Sequence, residues 1–377
     1  MRVRCLGGRT LTTLAAPVVA LALLTPGTGA GAAVACTGWT VVKTPSPGTD
    51  DILSSVAVVS PRDVWAVGSY SPTASSEATL VEHWNGTRWT QVPSPNPAGL
   101  GGINFLVAVA AVSATDIWAV GGTGYTSDLI IHWNGKKWTQ VLSSAGDLSG
   151  VAATSAKNAW AVGLSSADGP LLRHWNGTRW KQVPGPAATG LTAVTALSAT
   201  DAWAVGCTLY DSCAVNGPPG QRTAVLHWNG KTWTQVPSAS PAKGGNNDQL
   251  YAVAASSATD AWAVGDYTQG GGFETLIEHR VGGGWKQVAS PDPDTFYNVL
   301  AGTAVLSSTN AWAVGDSGGG LLITHWNGQA WTQSASPALS GGLMAITAPA
   351  ATDIWAVGYR QGTSPATAQY TLALHRC

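Results

Sequence analysis

Charge is what this sequence has least of. Only 10% of its 377 residues are Asp, Glu, Lys or Arg, and 19 basic residues against 20 acidic ones leave a net charge of -1. A chain that neutralises phosphates needs a basic footprint, so no nucleic acid is expected as partner. Disordered chains are rich in charge and poor in aromatics, whereas this one is 45% hydrophobic, so a folded chain is expected. Long apolar runs are scarce too. None after the first two dozen residues approaches the roughly 18 residues that a spanning helix requires, so no transmembrane segment is expected. Phe (3) and Met (2) are nearly absent, yet Trp, normally among the rarest residues, numbers 19 and Gly 46. The chain uses Trp systematically.

Residues 1–35 read as an export signal. Arg2, Arg4 and Arg9 form a positive start, Leu11 to Leu24 an apolar stretch broken by Pro17, and Ala33-Val34-Ala35 a cleavage pattern. A secreted, extracellular protein is expected, with residues 36–377 as its single domain. Of five cysteines, Cys5 leaves with the signal, and an even number in an exported chain points to disulfides. Cys207 and Cys213 are near neighbours, which leaves Cys36 and Cys377 as the second pair. The alternative is lipid anchoring at Cys36. Against it, Ala33 stands where such sites usually have Leu, far beyond the apolar stretch.

Self-similarity organises the rest. Trp-Ala-Val-Gly begins at Trp65, Trp118, Trp160, Trp203, Trp262, Trp312 and Trp355, at intervals of 42 to 59 residues. A second string, His-Trp-Asn-Gly-x-x-Trp, follows from His83, His132, His174, His227 and His325. It has drifted at His279-Arg280 and is cut short at His375-Arg376-Cys377. Each unit reads as four short strands. Strand a is an apolar run such as Leu106 to Val112, strand b carries Trp-Ala-Val-Gly, and strand c meets an Asn-Gly hairpin turn that leads to strand d. Seven such units predict an all-β, seven-bladed β-propeller of four-stranded antiparallel blades. Residues 36–45 have the form of a strand d without a strand c, and the last unit lacks its d. The ring is therefore expected to close by the N-terminal strand completing the last blade, with Cys36 and Cys377 at the tip of the broken hairpin.

These repeats resemble secreted bacterial repeat propellers of the kelch and galactose-oxidase-like type. Strand b, however, has Trp-Ala-Val-Gly where kelch repeats carry a Gly-Gly doublet. The His-Trp-Asn-Gly-x-x-Trp hairpin is similar to the Trp-rich repeats of tectonin-type propeller lectins. The resemblance implies the fold and carries no site residue across.

All seven His fall on one position per blade and are expected to bond within their own blades, too far apart to share a metal ion. Asp63, Asp116, Asp201, Asp260 and Asp353 precede strand b, but Asn158 and Asn310 replace them in two copies. An amide is neither base nor nucleophile, so this position reads as a structural turn. The Trp residues are expected to fill the wedges between blades, each N–H finding a local partner. No catalytic residue, metal or cofactor is expected.

Function is sought on the face that carries the variable b–c and d–a loops. Asp51, Asn104, Gly146, Thr189, Asp248, Asn298 and Gly341 align where strand a begins and are expected to ring the channel mouth, able to bind a cation or sugar hydroxyls. Tyr70, Asp266, Tyr267, Tyr297, Asp316, Tyr359 and Arg360 lie nearby, with Asp50, Tyr125, Tyr210, Asp292, Asp294 and Phe296. The expected function is a non-enzymatic, monomeric propeller that binds a glycan or an extracellular protein. Two alternatives are a carbohydrate-active lyase or hydrolase using Asp51 with Asp248 or Asp292 with Asp294, and a structural component of a cell surface or spore coat.

Overall fold

The four letters of the Trp-Ala-Val-Gly repeat each answer a separate packing demand. Strand b is buried on both faces, which is why its apolar run is continuous rather than alternating. Trp65 and Val67 pack with the next blade, in a cluster with Leu106, Val109 and Trp138. Ala66 points the other way, into a cluster with Trp355 of the preceding blade, where its small side chain leaves the indole room. Gly68 meets strand a so closely that a Cβ would lie 2.0 Å from the Ile52 carbonyl oxygen. The same approach recurs at Gly121, Gly163, Gly206, Gly265, Gly315 and Gly358, beside a bulge that every strand a carries at this point.

The computed structural model describes residues 38–124, 127–142, 144–165, 169–187, 189–208, 220–242, 247–362 and 368–377. Among them it shows seven four-stranded antiparallel sheets and no helix, and therefore none long and apolar enough to cross a membrane. Blade 1 contains Asp51–Ser60 (a), Asp63–Thr73 (b), Ser76–Trp84 (c) and Trp89–Gln91 (d). Successive a strands neighbour one another around the axis, and Gly341–Ala350 of the last blade lies against Asp51–Ser60 of the first. A cavity of about 310 Å³ at the axis is lined by residues of all seven a strands, among them Ser54, Tyr251 and Met344.

Closure is as expected. Thr40–Val42 is the outer strand of the sheet formed with Gln369–Arg376, Asp353–Gln361 and Gly341–Ala350. In its register Thr40 pairs with His375 and Val42 with Ala373. The segment after it is clamped as well: Thr371 Oγ1 donates to the Pro45 carbonyl at 2.5 Å and shares a hydrogen bond with Ser46. The same clamp holds the Ser94-Pro95 segment on Thr79 and Ser290-Pro291 on Thr275. The seam is thus built like the ordinary blades.

The core consists of seven wedges rather than one mass. In most wedges the strand b indole meets the strand c and strand d indoles of the next blade, as Trp160 meets Trp228 at 4.9 Å and Trp233 at 5.0 Å. The two blades with a drifted hairpin put Arg in place of the strand c Trp. The Arg280 guanidinium stands 4.3 Å from the Trp203 ring and Arg376 5.1 Å from Trp312. Arg280 Nε also donates to the Ala258 carbonyl, the turn position to which Trp133 and Trp175 donate through Nε1 elsewhere. Arginine here reproduces both contacts of the indole it replaces. The expectation that each Trp N–H finds a partner fails for five strand b indoles, Trp118, Trp160, Trp203, Trp262 and Trp312, and for the whole strand d set. Trp39, Trp89, Trp138, Trp180, Trp233, Trp285 and Trp331 bury Nε1 without one, because apolar wedge walls surround them.

Candidate functional site

The turn residue and the histidine of each blade are partners. His83 Nε2 donates to Asp63 Oδ1 at 2.8 Å and His279 to Asp260 at 2.8 Å, while His174 meets Asn158 at 2.7 Å and His325 Asn310 at 3.0 Å. Each imidazole also lies over its strand b indole, down to 3.9 Å for Trp262 and His279. The position needs only an oxygen acceptor, which Asp and Asn supply equally. Where Asn stands, burial holds the imidazole of His174 below its usual pKa, and burial with Arg376 does so for His325. All seven His are therefore scaffold. Among the described residues no group of three His, Cys, Asp or Glu converges to hold a metal.

The residues expected to ring the channel mouth do something else. Asp51, Asn104 and Asp248 are 0% exposed and Asn298 1%, because the d–a loop folds back over each of them. Asp51 accepts from Gly48 N–H, Asn104 from Ala98 N–H, Asp248 from Ala242 N–H and Asn298 from Asp294 N–H. Asp248 also binds Arg222 at 2.9 Å. These side chains cap loop ends. Of the aromatic set, Tyr267 donates to Glu274 at 2.5 Å, Arg360 stacks on Tyr370 at 4.8 Å, and Tyr70 lines a depression of blade 1. Tyr125, Tyr210, Cys36 and Cys213 lie outside the described residues. Cys207 and Cys377 are each disulfide-bonded.

The fold does bring Asp266, Tyr297, Asp316 and Tyr359 together at the loop-face mouth between blades 5 and 7, joined by two residues that sequence reasoning missed. Gln249 stands opposite Asp266 in the ladder between Asp248–Ser257 and Asp260–Gln269, and Tyr251 follows at the bulge. Facing residues of a ladder project to one side. Gln249 and Asp266 are wholly buried, and Gln249 Oε1 and Nε2 have no hydrogen-bond partner among the described residues. The Tyr251 hydroxyl donates to the Asp266 carboxylate. Burial, opposed by that hydrogen bond and reinforced by Asp248, lifts the Asp266 carboxyl to about 7. Burial raises Tyr251 strongly, with Asp266 adding to it. Burial, then Asp316 and Asp266, bring Tyr297 to about 12, and burial takes Asp316 to about 6. The repeat itself held the signal for Tyr251. At its position the other blades carry Ser54, Val107, Ser149, Thr192, Ala301 and Met344, and Tyr251 is the sole aromatic.

A second feature of the same face lies over blade 1. Two adjoining grooves of about 330 Å³ each share Asp50, Ser71 and Ala74. One reaches Glu77 and Ile103 of the second blade's side, the other Ala368 and Tyr370 of the seventh.

No protein-family model matches the sequence, and no curated protein matches it. Solved structures do resemble the fold. YCF48 from Cyanidioschyzon merolae superposes with a TM-score of 0.58 at 14% identity, over 90% of this chain and 99% of that one. YCF48 bound to D1 peptide gives 0.56 at 13% identity, over 90% and 96%. The RRP9 WD40 repeats give 0.57 at 11% identity, over 90% and 97%. At these identities the likeness is one of fold.

Proposed function

We propose that this chain is a secreted, non-enzymatic propeller that binds an extracellular protein partner through its variable-loop face, with an extended peptide segment lying in the grooves over blade 1. The observation that carries this reading is the pair of adjoining grooves, open and spanning three blades of the ring. YCF48 bound to D1 peptide shows that a propeller of this general fold can hold a peptide. The enzymatic alternative finds no support in its carboxylates. Asp51 and Asp248 cap buried loops, Asp292 accepts from Thr275 N–H, and Asp294 from Phe296 and Tyr297 N–H.

The test is capture of extracellular proteins by the folded chain, with and without Ser71→Trp and Ala74→Trp, which would fill the grooves. A specific partner lost in both variants is the expected result. A glycan-array signal that survives both variants, with no protein captured, would replace the protein by a sugar.

Export and the pairing of Cys36 with Cys377 and Cys207 with Cys213 belong to the same proposal. The disulfide bonding of Cys207 and Cys377 supports it. Intact mass separates it from lipid anchoring: two disulfides remove four hydrogens, whereas an acyl anchor adds several hundred daltons.

A further inference from the structure

A buried, unpartnered side chain beside a buried carboxylate needs an occupant. Burying a polar group without a hydrogen bond costs roughly 1–3 kcal/mol. Both polar atoms of Gln249 are in that state, and Asp266, opposite it in the ladder, has the Tyr251 hydroxyl as its one partner among the described residues. Gln249 Oε1, the Tyr251 hydroxyl oxygen and the Asp266 oxygen left free are acceptors. The charges that act on Asp266, Tyr297 and Tyr359 come from carboxyl groups, namely Asp248, Asp266 and Asp316. Among the described residues no cation offsets them: Arg222 is engaged by Asp248, and Arg360 lies over Tyr370.

We propose that this mouth is a binding site for an organic cation, a primary ammonium or guanidinium group, received by Asp266, Gln249 and Tyr251 beside the rings of Tyr297 and Tyr359. It rests on the reading of the variable-loop face as the binding face. A forked guanidinium or a three-donor ammonium matches these acceptors, and tyrosine rings attract a cation further. The channel below Tyr251 supplies the remaining need. Its walls of Val109, Val151, Val194 and Ile346, with Ala252 and Gly302 leaving space, suit the methylene stem of a lysine, an arginine or a polyamine. Calcium is less well served, since it takes six to eight oxygens and only one carboxylate belongs to the set.

The test is calorimetric titration of the folded protein with blocked arginine, blocked lysine and spermidine, each compared with blocked citrulline, the neutral isostere of arginine. At least tenfold tighter binding of a cation than of citrulline is expected. Asp266→Asn should abolish that preference. Asp260→Asn, which places in the same blade the amide that two other blades already carry, should leave it intact. Preference for spermidine assigns the site to free polyamines, and preference for the amino acids assigns it to a partner's basic side chain. Equal binding of arginine and citrulline, or no binding of any cation, overturns the proposal on the unmodified protein, whether or not Asp266→Asn folds. Loss of a protein partner in the groove variants with arginine binding unchanged would separate the two sites. A captured partner with no cation binding would overturn this inference alone.

Discussion

Glu82 offers the sharpest test of how this ring tolerates buried acids. It is wholly buried on strand c of blade 1, and neither carboxylate oxygen has a hydrogen-bond partner. Burial foremost, then Asp51, raises its pKa from 4.5 to about 9. Its folded-state pKa lies above its unfolded one. Below pH 4.5 both states hold the proton and the group is neutral to stability. As the pH rises above that, the unfolded chain ionises while the folded one cannot, so stability falls until the folded pKa is reached. Each unit of this window costs about 1.4 kcal/mol. Between pH 4.5 and pH 7 Glu82 alone therefore removes about 3 kcal/mol, a figure set by the unfolded pKa because the folded group is still protonated at pH 7. Glu278 occupies the same position in blade 5. It accepts from Ala239 N–H yet is raised to about 8, with burial the main cause. Urea unfolding followed by Trp fluorescence at pH 5 and pH 8 reads the effect. Glu82→Gln should leave stability near pH 5 almost unchanged and raise it at pH 8 by about 3 kcal/mol or more, flattening the pH dependence. Wild-type stability that is level or rising across this range, with no gain in the glutamine variant, would refute the reasoning.

Three further outcomes follow from the repeat. Asn158→Asp should raise the pKa of His174, because it gives that imidazole the carboxylate that five other blades have; two-dimensional NMR of the ring protons against pH reads the shift, and an unchanged pKa would count against the pairing. Gly206→Ala places a Cβ 2.0 Å from the Gly190 carbonyl oxygen. It should destabilise by about 3 kcal/mol or more in urea, at or beyond the upper end of ordinary overpacking, whereas Ala at the open Gly284 should cost far less. Arg280→Ala should lose about 1–2 kcal/mol through the cation–π contact with Trp203. Arg280→Trp should recover it by restoring the common hairpin, and equal stability of the two variants would show the contact to be inert.

What the sequence disclosed and what it withheld divide along one physical line. Repetition reports packing that every blade shares. Trp65 and its six counterparts, the Asn-Gly turns and the orphan strand before Lys43 were legible because each blade poses the same geometric problem, and the displaced strand d had a vacant place to fill. The pairing of His83 with Asp63 lay in the same pattern, since two positions that recur together in every copy serve each other. Either column taken alone hides it. The burial of Asp51, Asn104, Asp248 and Asn298 is not legible, for the opposite reason. The d–a loops that cover them have no common length or sequence, so nothing in the repeat predicts that Gly48, Ala98, Ala242 and Asp294 turn back to bond them. Gln249 and Tyr251 escaped notice because they sit inside a strand whose remaining residues follow the rule. A ring built from seven equivalent strands solves its packing with small side chains at the axis. A buried glutamine with both polar atoms unpaired, beside an aspartate and a tyrosine bonded to each other, answers no demand the ring makes. Departure from the column, rather than membership of it, is where selection for a ligand would be written in such a chain.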